Sequence, residues 1–170
     1  MELTRHIRDV PDFPKPGIVF KDITPLLADP TALQWSIDTL AERFADSHID
    51  RVIGIESRGF LFGPGIALRL GCGFAPMRKP GKLPWRTVRR DYQLEYGSDT
   101  LEMHVDAIAA GDRVLLVDDL LATGGTMAAA VGLCGDCGAE VVGVACVVEL
   151  AFLGGAARID RPVEALIRYD

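Results

Sequence analysis

The sequence predicts an α/β fold, a parallel twisted sheet flanked by helices. Two observations predict it. Apolar runs of strand length alternate along the chain with stretches at helical spacing. Two turn segments of small and charged residues, 56–59 and 118–126, each follow directly on such a run. In sheets of this kind ligands bind outside the carboxyl ends of the strands, so the architecture and the chemistry point to the same edge.

The elements follow in order. Leu3, Ile7 and Val10 fit a short helix stopped by Pro11. Residues 11–25 hold four prolines among apolar residues and form an ordered loop with a short extended piece. Leu33, Ile37, Leu40 and Phe44 recur at helical spacing, which predicts a helix over residues 31–47. Residues 51–55 form a strand leading into Glu56-Ser57-Arg58-Gly59. Residues 60–70 form a helix closed by Gly71, and 73–77 a short strand. Residues 88–94 and 100–104 pair as a hairpin. Residues 112–117 form the central strand, which ends in Asp118 and Asp119, and a helix runs over 127–137. Residues 141–148 and 165–169 supply two further strands. The chain reads as one domain of 170 residues, with no repeats and no low-complexity tract.

Composition narrows the class. Hydrophobic residues make up 49% of the chain and the formal net charge is −6. The first figure fits a packed core; the second argues against a nucleic-acid partner, which favours a basic footprint. No apolar run approaches the roughly 18 residues needed to span a bilayer. The N-terminus is polar and lacks a signal core, so a cytoplasmic protein without membrane attachment is expected. The four cysteines are expected as free thiols. Cys134 and Cys137 fall within one helix with no second pair to complete a zinc site, and they read as packing residues. Residues 78–90 carry six cations and no acid, a solvated loop or a cover for a polyanionic ligand.

The run Val114–Thr126, VLLVDDLLATGGT, carries the strongest chemistry. A buried strand passes through two acids into a turn of small residues at a helix start. The free N–H groups there, with the positive end of the helix dipole, make a phosphate cradle from Ala122, Thr123, Gly124, Gly125 and Thr126. Asp118 and Asp119 beside it suit sugar hydroxyls. Phosphate and ribose sites side by side imply a phosphoribosyl ligand.

That run resembles the signature of the type I phosphoribosyltransferases. SRGFLFG (57–63), RKPGKL (78–83), LEYG (94–97) and PDFPKPGIVFKDITPLL (11–27) resemble the adenine-specific branch of that family and stand in its order, spanning the chain from about Pro11 to Leu150. The resemblance implies a Rossmann-like sheet, a small hood from about residues 1–30 and a flexible catalytic loop over about residues 82–100. It implies purine salvage, the transfer of a 5-phosphoribosyl group from phosphoribosyl pyrophosphate to adenine with release of pyrophosphate. Asp118 and Asp119 would then bind ribose and residues 122–126 the 5′-phosphate. Glu56, Ser57, Arg58, Arg78, Lys79 and Lys82 would serve the pyrophosphate. Ile18, Val19, Phe20, Lys21 and Arg58 would serve the base. Glu95 would be the catalytic loop acid, followed by Tyr96. Mg²⁺ is the implied cofactor, held mainly by substrate oxygens with no dedicated protein cage. A homodimer is expected, a basic residue of 78–82 reaching across its interface. Glu56 stands where many relatives carry Asp, and Trp85, Arg89 and Arg90 depart from the familiar loop. The alternatives are another purine base (hypoxanthine, guanine or xanthine) and a non-catalytic phosphoribosyl pyrophosphate sensor.

Overall fold

A five-stranded, wholly parallel sheet forms the centre of the computed structural model, which describes residues 1–93 and 97–170. In chain order the strands are β1 (Arg8–Pro11), β2 (Val19–Asp22), β3 (Arg51–Ile55), β4 (Gly73–Met77), β5 (Thr87–Gln93), β6 (Ser98–His104), β7 (Arg113–Leu121), β8 (Glu140–Leu150) and β9 (Val163–Tyr169). The α-helices are α1 (Thr24–Ala28), α2 (Pro30–Glu42), α3 (Gly63–Leu70) and α4 (Gly125–Asp136). The central sheet runs β4-β3-β7-β8-β9, while β1-β2 and β5-β6 form separate antiparallel pairs.

The inner strands are apolar on both faces, as a covered parallel sheet requires. Val114 and Leu116 of β7 pack into one core with Ile53, Met127 and Leu133, beneath α4 and the β5-β6 hairpin. Leu115 and Val117 pack into the other with Val52, Leu40, Ile66 and Leu26, beneath α1, α2 and α3. The hairpin leans on α4, where Arg90 reaches Asp136 at 2.5 Å.

The α/β expectation holds, and several boundaries move for identifiable reasons. The N-terminal helix is only a 3₁₀ turn, Leu3–His6. Residues 8–11 pair instead with β2 in the register Arg8↔Asp22 to Pro11↔Val19, and Lys21 bonds Asp9 at 2.6 Å. Strand pairing there outweighs the helical spacing of three apolar residues. Helix α2 ends at Glu42, short of the expected 47, and a separate 3₁₀ turn covers Ala45–Ser47. Its start is fixed by Asp29, which accepts from the N–H groups of Thr31 and Ala32.

The expected helix over 60–70 splits into a 3₁₀ turn at Arg58–Leu61 and α3. Pro64 has no N–H to give the carbonyl of residue 60, so it belongs in the first turn of a new helix. Gly71 ends α3 in the left-handed region, at φ +70°. Strand β7 does not stop before the acids but runs through them to Leu121, because Leu120 and Leu121 still pair with Val148 and Glu149. The hairpin forms over Thr87–Gln93 and Ser98–His104, its expected end at Leu94 lying outside the described residues, and β8 and β9 are slightly longer than expected.

Candidate functional site

Strand β7 delivers the small-residue turn to the carboxyl edge of the sheet, and α4 starts at Gly125. Gly124 takes φ +78° at the helix cap, a conformation that L side chains rarely adopt. A second glycine locks the turn from outside: a Cβ on Gly155 would lie 2.0 Å from the Ala122 carbonyl oxygen. Residues 122–126 line a cavity of about 260 Å³ with Glu56, Lys79, Asp118, Leu120, Leu121 and Met127. The first N–H groups of any helix lack intrahelical acceptors, so this wall offers donors to an anion.

The Glu56–Gly59 turn stands immediately beside the acids. A Cβ on Gly59 would meet the Val117 carbonyl oxygen at 2.5 Å, so only glycine permits this approach to β7. The Glu56–Ser57 peptide bond is cis. The two acids have different surroundings. Asp118 lines the cavity, and its Oδ1 accepts from the Asp119 N–H at 2.8 Å. Asp119 is 2% exposed; Arg58 Nε stands 3.1 Å from its Oδ2, an ion pair off the line of a hydrogen bond. Burial pushes the Asp118 carboxyl well above the usual range, and the neighbouring Asp119 pushes it further. Burial also raises Asp119, against the pull of Arg58.

The cations of the 78–82 stretch do not stand free. Glu56, nearly buried, accepts from the Lys79 N–H at 2.9 Å and from Arg78 Nε at 3.3 Å, and pairs with Lys82. Burial raises Glu56, but Lys82, the Lys79 N–H and Arg78 outweigh it and hold the carboxyl below its ordinary value. Lys79 Nζ pairs with Asp99 and donates to Tyr92 Oη at 2.8 Å, while Tyr92 Oη lies 3.2 Å from Thr126 Oγ1. The structure therefore brings Lys79 to the phosphate turn and ties Arg78 and Lys82 to Glu56. The Glu56 side chain is the anchor of that loop.

A second recess of about 720 Å³ opens next to the first, and Thr123 lines both. Its walls include Ile18, Val19 and Lys21 from the β1-β2 hood, and Phe152, Leu153 and Tyr169 from the ends of the sheet. Lys21 Nζ lies 4.1 Å from the centre of the Tyr169 ring. Phe20 does not line this recess; its ring faces Phe13 and carries the Arg58 guanidinium at 5.1 Å. Arg58 thus links the hood to the acids of β7, and Ser57 sits at the start of its turn.

Sequence reasoning missed Tyr92, Asp99, Gly155, Phe152 and Leu153. Two signals could have found some of them: the Gly154-Gly155 pair after a buried strand, and the exposed apolar pair Phe152 and Leu153 beside it. Nothing in the sequence couples Asp99 to Lys79. Glu95 and Tyr96 lie outside the described residues. Trp85 is 60% exposed. All four cysteines are free, and burial pushes the Cys134 thiol up to about 12. Among the described residues no three His, Cys, Asp or Glu side chains gather as a metal site, and no helix is long and apolar enough to cross a membrane.

Residues 23–164 match the phosphoribosyl transferase domain. The adenine phosphoribosyltransferase of Maricaulis maris is 53% identical to this chain, covering 100% of it and 99% of its own length. The crystal structure of the enzyme of that name from Thermoanaerobacter pseudethanolicus superposes with a TM-score of 0.95 at 48% identity, over 99% of this chain and 98% of that one. The Saccharomyces cerevisiae adenine phosphoribosyltransferase, crystallised with D-2,5-dideoxy-2,5-imino-altritol 1,6-bisphosphate and adenine, gives 0.91 at 44% identity, over 97% and 96%. The chain belongs to the phosphoribosyl transferase family. Within it, the chain falls among the adenine phosphoribosyltransferases.

Proposed function

We infer that the chain transfers the 5-phosphoribosyl group of phosphoribosyl pyrophosphate to adenine, giving AMP and pyrophosphate. One observation carries this reading: the phosphate-type cavity and the apolar recess meet at Thr123, so a sugar phosphate and a flat base fit side by side. In the reaction the bond from C1 of ribose to the pyrophosphate oxygen breaks, N9 of adenine bonds to C1, and the N9 proton is lost.

Residues 122–126 hold the 5′-phosphate through N–H groups and the Thr123 and Thr126 hydroxyls. Asp118 accepts from the ribose hydroxyls. Asp119, buried against Arg58, acts in the same region and fixes the guanidinium between ribose and base. Glu56, Ser57, Arg58, Arg78, Lys79 and Lys82 form the pyrophosphate side. Lys79 lines the cavity directly, and Glu56 gathers the other cations by its carboxylate. Positive charge there stabilises the leaving group as its negative charge grows. Ile18, Val19 and Lys21 bound the base recess, and Phe20 supports it through Arg58. A backbone acceptor in this extended segment suits the exocyclic amine of adenine and leaves a 6-oxopurine unpaired. Glu95, by the resemblance, supplies the loop carboxylate that stabilises the cationic sugar or takes the base proton, with Tyr96 next to it in sequence.

Mg²⁺ fits this donor set. A hard cation that keeps waters and substrate oxygens needs few protein ligands, and Asp118 is a carboxylate facing the cavity. When bound, Mg²⁺ neutralises pyrophosphate charge. The net charge of −6 argues against a nucleic-acid partner, and the enzyme is read as a cytoplasmic homodimer acting on small-molecule substrates without a membrane partner. Light scattering checks the dimer: 36.8 kDa, twice 18.4 kDa, is expected, and 18.4 kDa would reject it. The reaction is tested by mixing enzyme, Mg²⁺ and phosphoribosyl pyrophosphate with adenine. AMP is expected, and its absence would remove the assignment.

A further inference from the structure

Of the cations that resemblance assigns to the pyrophosphate, Lys79 is the one that lines the cavity. Its ammonium is shared by two groups of the β5-β6 hairpin, the Asp99 carboxylate and the Tyr92 hydroxyl. Tyr92 Oη in turn reaches Thr126 Oγ1 in the phosphate turn at 3.2 Å. Asp99 is further held by the Thr100 N–H at 2.8 Å. A carboxylate is thus fixed on the very cation that an anionic ligand needs.

The two acids that hold cations here are built differently. The Glu56 side chain is 8% exposed and receives donors from three residues of the 78–82 loop, the arrangement of a permanent clamp. The Asp99 and Lys79 side chains are 31% and 33% exposed, so water screens their pairing. An ion pair of that exposure is weak, and a ligand bearing several negative charges outcompetes it.

We propose that Asp99 is a positioning residue that weakens and tunes the pyrophosphate site by competing with the ligand for the Lys79 ammonium. The proposal rests on the assignment of Lys79 to pyrophosphate. Burial disfavours charge on both partners, yet their mutual attraction keeps Lys79 protonated and Asp99 ionised. The competing anion is therefore charged wherever the substrate is. In chemical terms the device limits how firmly the site holds its product: pyrophosphate leaves as Asp99 reclaims the ammonium. Tyr92 Oη, in contact with both the ammonium and Thr126 Oγ1, links the exchange to the phosphate turn.

The test is calorimetry with magnesium pyrophosphate on the full-length wild type, Asp99→Asn, Lys79→Met and the double variant, with steady-state kinetics on the first two. Asp99→Asn is expected to bind pyrophosphate about fivefold tighter, since the ligand no longer has to displace a carboxylate from the Lys79 ammonium. It lowers KM for phosphoribosyl pyrophosphate and does not raise kcat. Lys79→Met binds more weakly, and the double variant matches Lys79→Met. Asp99→Ser serves as a second variant with the same expectation. Unchanged or weaker binding by Asp99→Asn overturns the proposal and leaves Asp99 a strut of the hairpin. Unchanged binding by Lys79→Met overturns the Lys79 assignment itself, a distinguishable failure. Tightening that persists in the double variant also overturns the proposal, because it would not act through Lys79.

Discussion

Arg58 Nε stands 3.1 Å from Asp119 Oδ2, and the same guanidinium lies 5.1 Å from the centre of the Phe20 ring. One side chain therefore touches a buried carboxylate of the central strand and the hood that overhangs the sheet. Arg58→Ala breaks both contacts and leaves Asp119 buried without its cation. Because Arg58 is itself part-exposed, the expected loss is about 1–3 kcal/mol, below the range for fully buried pairs. KM for adenine and for phosphoribosyl pyrophosphate both rise. Chemical denaturation and initial rates check this, and Asp119→Asn in the Arg58→Ala background restores part of the stability.

Asp118 is where binding and stability oppose each other. Most of its surroundings are protein although it opens on the cavity, and its carboxyl lies well above the usual range because of burial first and Asp119 second. The folded protein thus resists ionising a group that the unfolded chain ionises freely. The resulting penalty is absent below about pH 4, where both states hold the proton, and grows as pH rises through the raised folded value. Asp118→Asn is expected to stabilise the protein by about 1–2 kcal/mol at pH 8 and by little at pH 4. It also weakens phosphoribosyl pyrophosphate binding. Melting curves at the two pH values and calorimetry measure both effects.

The phosphate turn depends on a residue that never lines its cavity. A Cβ on Gly155 would press on the Ala122 carbonyl oxygen at 2.0 Å, with the Gly124 nitrogen 2.9 Å away. Neither neighbour is a flexible side-chain tip, so backbone must move. Gly155→Ala is expected to raise KM for phosphoribosyl pyrophosphate about tenfold or more, a displaced donor set being worth on the order of 1–2 kcal/mol. Initial-rate kinetics at saturating adenine provide the check.

Glu95 carries a different signature. If its carboxylate acts only as the sugar becomes cationic or as the base loses its proton, Glu95→Ala lowers kcat about a hundredfold or more and shifts phosphoribosyl pyrophosphate affinity less than twofold. Single-turnover rates with calorimetry separate the two quantities.

Much of the fold was legible because β3, β7 and β8 are apolar on both faces and α4 starts within the Gly124-Gly125 pair. What escaped has physical causes. The β1 segment looked helical because Leu3, Ile7 and Val10 fit that spacing, but pairing with β2 decides it. Pro64 breaks a helix that apolar periodicity alone would continue. At the site, the phosphate turn and the two acids announced themselves as one contiguous motif. The Lys79, Tyr92, Asp99 and Thr126 cluster did not, because its members come from four places in the chain. Phe152 and Leu153 reach the base recess only through the turn after β8.

The most direct test offers adenine, hypoxanthine, guanine and xanthine separately to the enzyme with phosphoribosyl pyrophosphate and Mg²⁺, and follows nucleotide formation spectroscopically. AMP from adenine, with no nucleotide from the other three, is the expected result. Turnover of a 6-oxopurine in place of adenine would contradict the assigned base recess, and binding of phosphoribosyl pyrophosphate without turnover of any base would contradict catalysis altogether.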